Sequence, residues 1–72
     1  MKTAKELMEI VSCGGGVIID SSVETKALLE IASYASDNRS RVIIKGAGSK
    51  STEDLKEIAS YGKGAVIFDF TE

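Results

Sequence analysis

Seventy-two residues allow one domain at most, spanning 1–72, and 43% hydrophobic with 28% charged residues is an ordinary globular composition. A net charge of −2 gives no general attraction to nucleic acid or an anionic membrane, and no apolar run approaches the ~20 residues of a membrane span. One cysteine and no histidine exclude an internal disulfide, a Ser-His or Cys-His catalytic pair and the common zinc ligand sets within one chain.

The opening Met1-Lys2-Thr3-Ala4-Lys5-Glu6 leads into an amphipathic pattern that contains acids, unlike a signal peptide, so a reducing, cytoplasmic compartment is expected. Thr3 and Glu6 form a capping box. Ala4, Leu7, Met8 and Val11 then recur at helical spacing, and Gly14-Gly15-Gly16 ends the first helix. Val17-Ile18-Ile19 reads as a strand. A second helix is predicted from near Ser21-Ser22-Val23-Glu24, another capping box that makes Ser21 a helix cap. Its stripe is Ala27, Leu28, Ile31, Ala32 and Ala35. Val42-Ile43-Ile44 is a second strand. The third helix starts near Ser51-Thr52-Glu53-Asp54, turns Leu55, Ile58 and Ala59 inward and stops at Gly62 and Gly64, before a third strand at Val66-Ile67-Phe68.

One phrase closes each helix: Glu9-Ile10-Val11-Ser12-Cys13, Glu30-Ile31-Ala32-Ser33-Tyr34 and Glu57-Ile58-Ala59-Ser60-Tyr61. A β-branched run follows each, as expected of a repeated helix–strand unit. Cys13, in the place of the two tyrosines, is expected to pack. The fold class is therefore α/β: a two-layer sandwich of three α-β units, with a short three-stranded parallel sheet and helices mainly on one face. Strand order 1-2-3 is preferred and 2-1-3 is the alternative. The first order keeps right-handed crossovers on one side and sets Asp20, Lys45 and Asp69 side by side with the cation in the middle.

Strand alternation sends Val17, Ile19, Val42, Ile44, Val66, Phe68 and Phe70 toward the helices. Ile18, Asp20, Arg41, Ile43, Lys45, Ile67 and Asp69 take the other face. An isoleucine row with a charged rim has the make-up of a protein interface. A domain this small buries only about 60% of its unfolded surface, so self-association is the expected stabiliser. The commonest form is a twofold dimer through this face, and pairing through the two edge strands is also open. The function expected is a small non-catalytic protein–protein interaction module: an adaptor, an inhibitor or an immunity-like partner.

Gly46-Ala47-Gly48-Ser49-Lys50-Ser51-Thr52 offers a second candidate, because a glycine-rich turn between strand and helix exposes amides to an anion. The segment resembles the dinucleotide-binding fingerprint, with Asp69 near the place of a ribose-binding acid. Ser51 stands where that pattern has its third glycine or an alanine, and a dinucleotide site needs a second half-domain. A phosphate-bearing anion at Gly46, Gly48, Ser49, Lys50, Ser51 and Thr52 is the alternative function.

Asp20-Ser21-Ser22 at a strand-to-helix junction, followed by Val42–Gly46 and a further helix–strand unit, resembles STAS-type domains. The resemblance implies a phospho-switched regulator acting through Ser21 or Ser22. The family's opening strands are replaced here by the first helix, and Val23 stands where its glycine is usual. The internal repeat accounts for the same residues.

Arg39, Arg41, Lys45 and Lys50 form an acid-free cationic stretch, but no aromatic residue interleaves them as a stacking platform, so nucleic acid is disfavoured as a partner. For catalysis the chain offers little. Asp20 and Asp69 are separated by Lys45, and Cys13 falls at the negative end of a helix dipole, which disfavours a reactive thiolate. No catalytic residue, cofactor or metal is expected.

Overall fold

In the computed structural model, which describes residues 3–71, three helices and three strands alternate. They are α1 (Ala4–Ser12), β1 (Val17–Asp20), α2 (Thr25–Asp37), β2 (Val42–Lys45), α3 (Thr52–Gly62) and β3 (Val66–Asp69), with a 3-10 turn at Ala47–Ser49. Met1 and Lys2 of the opening run, and Glu72, lie outside the described residues.

The sheet is parallel throughout, in the order β1-β2-β3. Val17, Val42 and Val66 share one register position, Ile18, Ile43 and Ile67 the next, and Asp20, Lys45 and Asp69 the last. The preferred order is the observed one. The helices follow the same sequence, with α2 packed between α1 and α3. Their apolar stripes meet the inner sheet face in a core of Val11, Ile19, Leu28, Ile31, Ala32, Ala35, Val42, Ile44, Ala47 and Ile58.

Local sequence explains the ends of α1. Thr3 Oγ1 accepts from the Glu6 amide while Glu6 Oε1 accepts from the Thr3 amide, the reciprocal box that the pattern predicts. At the other end Gly14 (φ 92°) takes the left-handed geometry. Its amide donates to Val11 O and that of Gly15 to Ile10 O, which satisfies two orphan carbonyls. At α3, Ser51 Oγ accepts from the Asp54 amide, again as expected.

Several local expectations fail. α2 starts at Thr25 with Glu24 as its cap residue and no side-chain cap bond. Ser21 is not a helix cap: its hydroxyl donates to Gly46 O at 2.8 Å, across to the turn after β2. The Ser22 amide is held by Asp20 Oδ1, extending the turn that leaves β1. α3 runs through Gly62 to a left-handed cap at Lys63 (φ 48°). Gly62 is buried there while Ala59 is exposed, since a methyl group at residue 62 would overlap Val66 Cγ2. Phe70 lies beyond β3 and is exposed rather than inward. Ile10 is exposed where its counterparts Ile31 and Ile58 are buried, because α1 turns Val11 into the core instead. Cys13, expected to pack, is exposed.

A further tie joins the layers. Ser40, buried in the α2–β2 connection, donates from Oγ at 2.7 Å to Val11 O, the same carbonyl that receives the Gly14 amide.

Candidate interface and strand-end cleft

Ile18, Ile43 and Ile67 lie on the sheet face away from the helices and form one in-register row across all three strands. Ile18 is 64% exposed, Ile67 42%, and Ile43 half-buried between them. One residue further along β1 and β2, on the helix side, Ile19 and Ile44 fall to 7% and 0%.

The rows on either side of the isoleucines carry the charges. Toward the strand starts, Arg41 is exposed, and its backbone carbonyl accepts from the Val17 amide. Gly16 lies beside it, where a Cβ would stand 3.9 Å from Arg41 Cβ. Toward the strand ends lie Asp20, Lys45 and Asp69. They are adjacent but not locked together, since among the described residues the one direct ion pair is Lys56–Glu53 at 3.9 Å on α3. Each acid bonds its own outgoing turn instead. Asp20 accepts from the Ser22 amide, and Asp69 accepts from the Thr71 hydroxyl and amide. The Thr71 hydroxyl, then its amide, and least the Lys45 charge hold the Asp69 carboxyl below its ordinary value, against desolvation, which opposes them by more than Lys45 contributes.

The glycine turn is internally committed. Gly46 adopts a left-handed conformation (φ 66°), and its carbonyl receives the Ser49 amide, the Ser21 hydroxyl and the Ser49 hydroxyl. The two hydroxyl oxygens are themselves 3.0 Å apart. Lys50 turns to the helix layer, where Nζ donates to Thr25 Oγ1 at 3.0 Å, and that hydroxyl points on to Asp54 Oδ2 at 3.4 Å. Ser51 caps α3 and Thr52 begins it; the next two residues are Glu53 and Asp54. Gly48 is exposed, and a Cβ there would lie 3.9 Å from Phe70. An anion at this turn would meet two carboxylates in the first helical turn and a lysine already engaged, which favours a structural turn.

Between turn and open face lies a cleft of about 980 Å³ at the carboxyl ends of β1 and β2, walled by Leu7, Ile18, Val23 and Phe70 with Ser21, Ser49 and Lys45 at its polar side. The Ser21–Gly46–Ser49 junction was not foreseen from sequence, although a signal existed. Asp20 pairs with Lys45, so Ser21 and Gly46 are the residues that leave adjacent parallel strands.

Two other sequence candidates are separated by the fold. Ser21 is buried and hydrogen-bonded, so of the two serines only Ser22 is accessible to a modifying enzyme in the folded domain. The four cations do not form one patch. Arg41 and Lys45 belong to the open face, Arg39 stands in a left-handed turn and Lys50 faces Thr25. Among the described residues no three His, Cys, Asp or Glu side chains gather to hold a metal ion, and no helix is long and apolar enough to cross a membrane. No family model, curated protein or solved structure matches the chain.

Proposed function

We propose that this domain is a non-catalytic protein-interaction module that associates with a second copy of itself through the open sheet face. The observation that carries this is an all-parallel sheet covered by helices on one side only, with an isoleucine row on the other. Parallel sheets are almost always covered on both faces. An apolar centre inside a charged rim is also how interfaces are built.

The face is small. Three strands spaced about 4.8 Å apart, with about five residues at 3.3 Å each, give roughly 14 by 16 Å. Two such faces give about 450 Å² of projected area, below the about 1,000 Å² in total that a stable specific complex buries. The expected dimer is accordingly weak and exchanging, with association in the micromolar range or above.

Light scattering across concentration, with Ile43→Glu in parallel, tests the proposal. The parent chain is expected to move from monomer to dimer mass, and the variant to remain a folded monomer throughout. A parent that stays monomeric to about 1 mM, well above typical specific affinities, or a dimer indifferent to Ile43→Glu, overturns it.

A further inference from the structure

We infer that the two copies stack with their strands antiparallel, so that Arg41 of each protomer lies over the Asp20–Lys45–Asp69 row of its partner. This rests on the self-association proposed above and adds its orientation and its source of specificity.

The open face is electrically asymmetric along the strands. At the strand starts Arg41 is a lone positive charge, with Gly16 beside β1 and Ala65 beside β3 in the same register row. At the strand ends two acids flank one lysine, a net single negative charge. The isoleucine row lies between the two ends, so it falls at the centre whichever way a second copy is laid down.

Two sheets packed face to face in the aligned manner, about 10 Å apart, admit two twofold arrangements. With the axis along the strands, like ends meet: Arg41 over the partner's Arg41, and the acidic row over the partner's acidic row. With the axis across the strands, β2 lies over the partner's β2, so each Arg41 stands over the partner's Lys45, with the partner's Asp20 and the partner's Asp69 to either side of it. The partner's Asp20 and Asp69 then lie over Gly16 and Ala65, the smallest side chains on the face. The first arrangement opposes like net charge at both ends; the second opposes unlike net charge at both, because the two acids of the end row outnumber the lysine that Arg41 directly faces. Juxtaposed like charges are a strong determinant against a wrong register.

Acidic residues that are bonded to their own turns are already ordered before the partner arrives. The Asp20 and Asp69 carboxylates are held by Ser22 and Thr71 respectively. Lys45, with no direct ion pair to them, leaves both free to accept a guanidinium from above. Arginine suits this position because its planar fork can bridge to either acid of the row.

The test is a charge-swap cycle read by light scattering or sedimentation, on the intact chain. In the antiparallel stack Arg41→Glu places like charge at both ends, and the dissociation constant is expected to rise about tenfold or more. Asp69→Lys alone should weaken association similarly. Arg41→Glu/Asp69→Lys together mirror the original pattern without changing net charge, and should restore affinity to within about threefold of the parent. Raising salt from about 0.1 to 1 M, which shortens the screening length from about 10 to 3 Å, should weaken the parent and the double variant alike.

In the parallel stack Arg41→Glu changes nothing in the sign of either end, and the double variant gains nothing. A dimer that Ile43→Glu splits but Arg41→Glu leaves untouched overturns the orientation and keeps the open face as interface. A double variant no tighter than its single parents does the same. A chain that never dimerises, or a dimer that Ile43→Glu leaves intact, overturns the self-association itself. Circular dichroism of each variant confirms the fold, and Asp20→Lys replaces Asp69→Lys should the loss of the Thr71 bonds unfold the chain.

Discussion

The two faces of the sheet are made by the same strands and nearly the same residues, yet one is the core and the other is bare. Ile19 and Ile44 are sealed under the helices, while Ile18, Ile43 and Ile67 stand partly or largely in solvent. Residue type does not make this difference. It follows from the order β1-β2-β3, in which each helix lies beside the next in a single layer. An isoleucine in a short strand thus does not by itself say which face the chain's own helices cover.

The largest test of the contrast exchanges equivalent isoleucines for alanine. Ile44→Ala should cost about 2–5 kcal/mol of folding free energy in denaturant titration, since it leaves a cavity in a closed core. Ile18→Ala on the bare face should cost the dilute monomer less than about 1 kcal/mol. Comparable losses at the two sites would mean that both faces are closed within one chain. Next in size, Gly62→Ala should destabilise the domain by about 1–2 kcal/mol, because the added methyl presses on Val66 where α3 meets the covered face. Gain or neutrality there would show that α3 packs loosely.

Ser51→Ala should remove the α3 cap and cost about 1 kcal/mol, with no change in the electrostatics of the bare face. The smallest effect concerns pH. The folded-state pKa of Asp69 is lowered, chiefly by Thr71, so its stabilising contribution is present above the unfolded pKa and is lost as pH falls through the folded one. Thr71→Val should raise the Asp69 pKa toward its ordinary value in an NMR titration; an unmoved pKa would assign the lowering to the backbone amide of residue 71, which the substitution keeps, and to Lys45.

The strands, their order and their two faces were legible in the sequence, because β-branched alternation and helical stripes are local patterns that the fold uses as written. The caps of α1 and α3 were legible for the same reason. Much of what failed was local grammar overruled from a distance. Ser21 through Glu24 spells a capping box, but the Ser21 hydroxyl is claimed by Gly46, a residue 25 positions away. Ala59 continues a helical stripe on paper, whereas the close approach of Val66 selects Gly62 for the buried position. Phe70 continues the alternation of β3, but the Asp69–Thr71 turn ends the strand before it. The isoleucine row was readable as a candidate site, whereas the strand-end cleft needed Leu7 and Phe70 brought in from opposite ends of the chain.

The Asp20–Lys45–Asp69 row also bears on how such a sheet stays finite. A sheet with free apolar rims at Val17-Ile18-Ile19 and Val66-Ile67-Phe68 invites open-ended growth, one molecule's β3 adding to the next one's β1. Continued in the register that the strands already use, such a filament would set Asp69 of one molecule directly beside Asp20 of the next, two carboxylates with no lysine between them. Lys45 relieves that repulsion only inside the molecule, in the middle of its own sheet. Placing the cation on the central strand and an acid on each rim lets three strands pair and penalises the fourth.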